Sequence, residues 1–174
     1  MSRPAWAERN DLLRAYYDDE WGLPVRDAAG VYERVVLEGF QAGLSWETIL
    51  RRRPAFRAAF RGFDPVEVAR FDEADVARLL ADPGIVRNER KIRAAITNAR
   101  ATVALTEQGD DLAAIVWSFR PADPTAPGGD APSRSPESEA LGAELKRRGF
   151  VLVGPVTMYA LMEAIGVLEH RAAP

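Results

Sequence analysis

Two helical patterns meet in the stretch that decides the fold of this chain. It reads Leu37-Glu38-Gly39-Phe40-Gln41-Ala42-Gly43-Leu44-Ser45-Trp46. Gly43 followed by Ser45 is typical of a helix C-terminus and the N-cap of the next helix. Glu38 closes an otherwise apolar run, and a buried carboxylate is costly unless a partner compensates for its desolvation. The stretch is therefore either a plain structural junction or a functional site built on one.

The side chains of this junction suit a flat, positively charged ring. Glu38 offers a negative charge at the edge of such a ring, and Trp46 offers a π face beneath it. In the purely structural interpretation, Trp46 is an ordinary core residue. Gly43 lets another backbone approach closely, and Leu44 can fill the space left by an extruded base. We therefore take Gln41, Gly43 and Leu44 as candidate DNA contacts.

The composition indicates one folded domain over residues 1–174. Hydrophobic residues make up 47% of the 174 positions, which is enough for a sizeable core. No apolar run approaches the roughly 18 residues of a membrane-spanning helix, and the N-terminus lacks the pattern of a signal peptide. We therefore expect a cytoplasmic protein without membrane association and, since nothing indicates an oligomer, a monomer.

The charge pattern gives opposing indications about nucleic acid. A net charge of −3 and a pI of about 5.3 argue against a generally basic nucleic-acid binder. Basic residues nevertheless cluster at 51–53, 87–93 and 146–148. Each cluster alone is typical of a solvated helix face or a helix C-terminus. Together they predict one positive face on an acidic protein.

Helix signals recur along the whole chain. The predicted capping residues are Asn10 or Asp11, Asp27, Ser45, Asp64, Asp72 and Ser135. Pro54 is expected to stop or kink the helix that begins at Trp46. No stretch shows convincing strand alternation. The sequence therefore predicts an all-α fold, a single helical domain of about eight or nine helices.

A helix, a tight turn and a second helix are predicted around Asp82-Pro83-Gly84. In a helix-hairpin-helix element, N–H groups freed by the turn can face a phosphate, and the dipole of the second helix favours the negative charge. Many helical proteins contain such hairpins, so the pattern alone is a weak signal. The candidate DNA contacts of this element are Gly84, Ile85, Arg87 and Lys91.

Several ordered segments carry a resemblance that runs from Trp6 to about Gly166. They are the stretch LEGFQAGLSWETIL at 37–50, DEWG at 19–22, GFDP at 62–65, GIVRN at 84–88 and KRRGF at 146–150. In this order they resemble the DNA-3-methyladenine glycosylase I family of the helix-hairpin-helix glycosylases. The resemblance implies a base excision repair enzyme that flips 3-methyladenine out of alkylated double-stranded DNA and hydrolyses its N-glycosidic bond. 3-Methylguanine is a second candidate substrate.

The resemblance also implies roles for individual residues. Aromatic residues at the positions of Trp6, Tyr16 and Trp46 line the base pocket in the family, and Trp21 is a further substrate-binding candidate. In the structural alternative, these aromatics close one end of a helical core. Glu38 is the catalytic candidate, a pocket carboxylate that recognises the modified base. Whether it also steers or deprotonates the attacking water stays open.

Methylation at N3 gives the base a positive charge, so the base leaves as a neutral molecule and needs little acid catalysis. The enzyme must instead extrude the lesion selectively, exclude normal adenine and supply water. Many relatives place an Asp after the hairpin helix, where this chain has Thr97 and Asn98. No lysine occupies an obvious pocket position for a Schiff base, which predicts a monofunctional enzyme without lyase activity.

The resemblance breaks at the metal site. The best-known members of the family join their chain ends with a zinc held by two cysteines and two histidines. Here Pro4 and Tyr17 occupy two of those positions, the chain has no cysteine, and only His170 remains. One ligand cannot hold a structural zinc. We therefore expect no metal and no cofactor, ends that are held by packing or mobile, and an ordinary surface role for His170.

Two other functions remain open at this point. One is a protein that binds alkylation lesions in DNA without turning them over. The other is a helical interaction domain with no nucleic-acid role, which the acidic pI favours.

Overall fold

The computed structural model describes residues 3–125 and 132–170. Within these ranges the chain forms nine α-helices and one short 3-10 turn, and it forms no strand beyond an isolated bridge between Thr125 and Glu169. The helices are α1 (Asp11–Asp19), α2 (Ala28–Gln41), α3 (Trp46–Ala59), α4 (Pro65–Ala69), α5 (Glu73–Ala81), α6 (Glu89–Glu107), α7 (Leu112–Ser118), α8 (Pro136–Arg147) and α9 (Pro155–Ala164). The predicted all-α class and helix number are confirmed.

Side-chain caps set the helix starts. The hydroxyl of Ser45 accepts a hydrogen bond from the Thr48 amide at 3.1 Å and begins α3. Asp72 forms a reciprocal capping box with Asp75 at the start of α5. The other predicted caps are also confirmed, at Asn10, Asp27, Asp64 and Ser135. Local chemistry therefore fixes where most helices begin.

The expected break at Pro54 is wrong as a helix end. Helix α3 continues through Pro54 to Ala59. Phe56 and Ala59 are buried on the far side of the proline, with 0% and 5% of their surfaces exposed. Their packing outweighs the hydrogen bond that proline removes from a helix interior.

Helix α2 lies at the centre of the fold and carries the functional stretch. It packs against α3, α6, α7 and α9. The hydroxyl of Tyr32 donates to the carbonyl of Ala95 across the α2–α6 interface at 2.8 Å. Because neighbouring helices hold α2 from several sides, its last turn presents Glu38 and Gln41 in fixed positions. No helix in the described part of the chain is both long and apolar enough to cross a membrane.

Candidate active site

A cavity of about 770 Å³ opens beside the end of α2. Helices α1, α2, α3 and α9 line it together with the N-terminal arm, residues 3–9. Six of the predicted site residues lie in its wall, namely Trp6, Tyr16, Trp21, Glu38, Gln41 and Trp46. The structure thus brings together the predicted catalytic residue, the four predicted substrate-binding aromatics and one predicted DNA contact.

Aromatic rings form much of the cavity wall. The rings of Tyr16 and Trp46 have centroids 5.6 Å apart and planes tilted by 47°. Trp6 meets Trp21 edge to face at 5.6 Å and lies 6.4 Å from Tyr16. Leu13 and Leu50 support these rings from α1 and α3. Such a wall favours a planar, apolar-faced ligand.

Glu38 is the buried acid of the cavity, with only 6% of its surface exposed. Burial raises its pKa to about 8; the negative charge of Glu163 adds to this effect and Arg34 opposes it. No hydrogen bond reaches its carboxyl group from any residue that the structure describes. Glu38 is therefore protonated at neutral pH in the empty cavity, and a cation placed there favours its ionised form.

Three further polar groups of the cavity wall lack hydrogen-bond partners. The Tyr16 hydroxyl, the indole N–H of Trp46 and Nε2 of His170 are buried, and none of them has a hydrogen-bond partner among the described residues. Burial, followed by the nearby charge of Glu38, raises the pKa of Tyr16 well above its ordinary value, so the phenol stays neutral. Unpaired buried polar groups are rare and destabilising. Their clustering here indicates a site that a polar ligand completes.

The turn between α2 and α3, residues Gln41–Ser45, stands beside the cavity mouth. The Gln41 side-chain amide donates to the Leu44 carbonyl at 2.9 Å, and the Leu44 amide donates to the Gln41 carbonyl at 2.7 Å. Gly43 has φ +80°, the left-handed region that favours glycine, and a Cβ there would meet no atom within 4 Å. Leu44 is 37% exposed. The turn is thus rigid and projects an apolar side chain.

Lys91 braces this turn from α6. Its Nζ donates to the Phe40 carbonyl at 2.8 Å and to the Ala42 carbonyl at 2.6 Å, so it satisfies the C-terminal end of α2. This bracing contact was not anticipated from the sequence. The predicted DNA contact of Lys91 stays a prediction, but its ammonium group already has protein partners.

The predicted hairpin turn is held by packing. A Cβ on Gly84 would lie 2.9 Å from the Cβ of Ala55 on α3, so glycine permits this close approach. Ile85 is 2% exposed and belongs to the core. Arg87 is exposed at the surface. Of these candidates, Arg87 is therefore the one whose side chain is placed to reach a ligand, and the DNA contacts of this turn stay a prediction.

A groove of about 260 Å³ lies where three turns meet. Its lining includes Ala42 from the α2–α3 turn, Asn88 from the α5–α6 connection, Arg90 from the first turn of α6, and Leu152 and Gly154 from the α8–α9 turn. The α8–α9 turn was missed as a functional element, although Gly149 and Gly154-Pro155 mark its two ends. The buried side chain of Asn98 exchanges two hydrogen bonds with Val151, at 2.8 and 3.0 Å, and so fixes this turn.

The expected positive face is wrong for most of the basic clusters. Acidic side chains pair with their members: Arg51 with Glu47, Arg53 with Glu20, Arg93 with Glu73 and Glu89, and Arg147 and Arg148 with Glu144. The acids lie one helical turn away or on a neighbouring element, which the run of basic letters does not reveal. Arg87 and Arg90 have no ion pair among the described residues, and they leave a small local cationic patch.

His170 is not the ordinary surface histidine that we expected. It lines the cavity with 18% of its side chain exposed, and its Nε2 lies 2.7 Å from Oε1 of Glu163. Its ring contacts Trp21 at 4.9 Å between centroids. Glu163 was missed as well, because an acid in an amphipathic helix is usually solvated. The only indication of Glu163 in the sequence was its position near the end of the last predicted helix, shortly before His170.

Rings connect the N-terminal arm to the C-terminal segment, residues 165–170. Trp6 packs edge to face on Tyr17 at 5.6 Å, Tyr17 stacks on Trp21 at 5.5 Å, and Trp21 contacts His170. The ends of the described chain are therefore held by packing. No group of three or more metal-ligating side chains occurs among residues 3–125 and 132–170. The predicted absence of zinc stays a prediction.

The comparisons with known proteins agree with this geometry. The family model described as methyladenine glycosylase matches residues 6–173. DNA-3-methyladenine glycosylase 1 of Escherichia coli (strain K12) is 42% identical, over 98% of this chain and 94% of its own length. A crystal structure of 3-methyladenine DNA glycosylase I superposes with a TM-score of 0.92 at 42% identity, covering 97% of this chain and 95% of that one.

A second solved structure contains a ligand. It is a tyrosine-to-phenylalanine variant of 3-methyladenine DNA glycosylase I in complex with 3-methyladenine. It is 29% identical to this chain, with a TM-score of 0.88, and covers 96% of this chain and 92% of that one. Sequence and structure therefore agree over nearly the whole chain, and this protein belongs to the methyladenine glycosylase family.

Proposed function

We propose that this protein is a DNA-3-methyladenine glycosylase. It hydrolyses the N-glycosidic bond of 3-methyladenine, with 3-methylguanine as a second candidate, in alkylated double-stranded DNA. One observation carries the proposal: Glu38, Tyr16 and Trp46 present unpaired polar groups inside an aromatic cavity beside a projecting leucine. A flipped, positively charged base satisfies these groups at once.

Charge explains how the cavity selects its base. As the cation enters, its charge favours the carboxylate form of Glu38, which releases its proton to solvent. Neutral adenine offers no such compensation and leaves Glu38 protonated. During hydrolysis a water oxygen bonds to C1′ of the sugar while the C1′–N9 bond breaks. The electron pair of that bond neutralises the departing base, and the water loses one proton to solvent. Binding and selectivity thus come from the same ionisation.

The turn at Gln41–Ser45 is our candidate for the wedge that replaces the flipped base, with Leu44 as its tip. The groove beside it is our candidate for a phosphate contact, because Gly154 gives the start of α9 no side-chain cap and Arg90 lies nearby. The substrate supports a cytoplasmic location.

The protein has only two lysines, Lys91 and Lys146. Neither lines the cavity, and Lys91 donates to two backbone carbonyls. Schiff-base chemistry needs a lysine amine at the sugar. We therefore propose a monofunctional glycosylase that leaves an intact abasic site, which an alkali-free strand-cleavage assay on product DNA tests.

Chromatography of the bases released from methylated duplex DNA tests the function directly. We expect free 3-methyladenine in the supernatant with the wild-type protein. Lesion binding without release would identify a lesion-binding protein instead. DNA binding through phosphate contacts weakens steeply with added salt. If the protein neither releases the base nor binds the lesion, and shows no salt-dependent affinity for DNA, it is an interaction domain.

Lys91 and Arg90 give a paired test of the DNA face. We expect Lys91→Met to weaken affinity for lesion duplex several-fold, because the turn loses its brace, and to leave the slope of log Kd against log salt unchanged. Arg90→Met is expected to reduce that slope by about 1, as the loss of one phosphate contact does. Titrations at several salt concentrations measure both slopes. A reduced slope in Lys91→Met would instead make Lys91 a phosphate ligand.

A further inference from the structure

Helix α9 contributes a carboxylate to the cavity wall. Glu163 lies on α9, lines the cavity, and has 21% of its side chain exposed. It is close enough to Glu38 to be the strongest charge acting on that residue. The proposed recognition of the cationic base involves only the carboxylate of Glu38, and Glu163 has no role assigned to it.

His170 is the close neighbour of Glu163 in the cavity wall. Its Nε2 lies 2.7 Å from Oε1 of Glu163, and its ring contacts Trp21. The backbone before His170 is fixed, since the Leu168 amide donates to the Met162 carbonyl at 3.0 Å and the Glu169 amide donates to the Pro124 carbonyl at 2.8 Å. Glu163 therefore lies against an ordered neighbour at the edge of the cavity.

The arginine that acts on Glu38 is already paired with other acids. Arg34 contacts Glu20 at 3.0 Å and Glu33 at 3.6 Å. Glu38 and Glu163 share the cavity with a third acid, Glu47, whose carboxylate pairs with Arg51. Arg3, which is paired with Glu8 and Asp18, and Arg9 also line the wall. Coulomb energies beside the buried Glu38 exceed those in water.

We propose that Glu163, which lies beside His170 in the cavity wall, is a specificity-determining residue that restricts the cavity to bases carrying a positive charge. The proposal rests on the proposed function and deepens it. The chemical class selected is the purine alkylated at a ring nitrogen, which is cationic while attached to the sugar. Glu163 acts through charge rather than contact with the reacting atoms, so it discriminates cationic from neutral bases of the same shape.

Glu163→Gln tests the proposal, because glutamine keeps the size of the side chain and removes its charge. We expect kcat/KM for release of 3-methyladenine from methylated duplex to fall about tenfold. We expect affinity for a duplex containing 3-deaza-3-methyladenine, a neutral isostere of the lesion, to stay unchanged. Glu107→Gln, an exposed glutamate at the far end of α6, serves as the matched control.

Three results separate the possible outcomes. Loss with the cationic lesion alone supports the proposal, and Glu163→Asp, which keeps the charge, should then retain more activity than Glu163→Gln. Equal loss with both duplexes, or no loss with either, overturns it, because a structural role affects both probes alike. If the wild-type protein releases no 3-methyladenine, the proposed function fails first, and this inference fails with it.

Discussion

Replacing Glu38 with glutamine is expected to lower kcat/KM for 3-methyladenine release by about 100-fold or more while making the protein more stable. The carboxylate contributes a full charge to a cationic base in a buried site, and an amide contributes only a dipole. The same burial makes ionised Glu38 costly in the empty protein. Glutamine removes that cost, so activity and stability change in opposite directions.

The stability advantage of Glu38→Gln over the wild type is expected to depend on pH. The pKa of Glu38 is about 8 in the folded protein, against an ordinary value of 4.5. Below pH 4.5 the group is protonated in both states and the variant has no advantage. Between pH 4.5 and 8 the unfolded chain ionises while the folded one does not, so wild-type stability falls as pH rises. We expect the advantage of Glu38→Gln to grow across this window to a few kcal/mol, on the order that such a pKa difference implies.

Denaturant unfolding at pH 4, 6 and 8 measures this advantage, with Glu107→Gln as the exposed control. In kinetics, kcat/KM of the wild type should rise with pH up to about 8, since it reports the free enzyme. The rise in kcat should occur at lower pH, because the bound cation favours the carboxylate. A variant that retains full activity, or one whose stability advantage is the same at all three pH values, would contradict the role assigned to Glu38.

Replacing Trp46 with alanine is expected to weaken binding of lesion duplex by about 10- to 100-fold, because stacking of a base on an aromatic ring contributes about 1–3 kcal/mol. Trp46 shares the wall with Tyr16 at 5.6 Å, and its indole N–H is unpaired in the empty cavity. Binding of undamaged duplex should stay within about twofold, since no cationic base then occupies the cavity.

Trp46→Phe is the companion variant, because it keeps a ring face and loses the N–H group. We expect Trp46→Phe to lose about the value of one hydrogen bond, 0.5–1.5 kcal/mol. Trp46→Ala should lose more affinity, because it removes the ring face as well. Trp46 also packs against the core, so thermal unfolding of both variants shows whether the fold survives. If both variants lose affinity equally for lesion and undamaged duplex, the tryptophan supports the DNA face rather than the base.

The sequence predicts well those features that depend on local chemistry. Ser45 and Asp72 cap helices as expected, because a cap involves residues only a few positions apart. Glu38 and Trp46 could be paired from their spacing at one junction. The helix end predicted at Pro54 is wrong, because Phe56 packs against residues far away in the sequence, such as Phe40, and a local pattern does not show this contact. The contacts of Lys91 with Ala42 and of His170 with Glu163 were not predicted, because these partners come from other elements and are chosen by tertiary structure.

The ring contacts from Trp6 to His170 have a consequence for biosynthesis. The cavity wall includes both residues, which are separated by almost the entire described chain. A ribosome releases the N-terminal arm long before the C-terminal segment exists. The arm must therefore wait, without its final partner, until α9 and the segment after it have been made and packed. The wall of the cavity is therefore complete only after the C-terminal segment has been made.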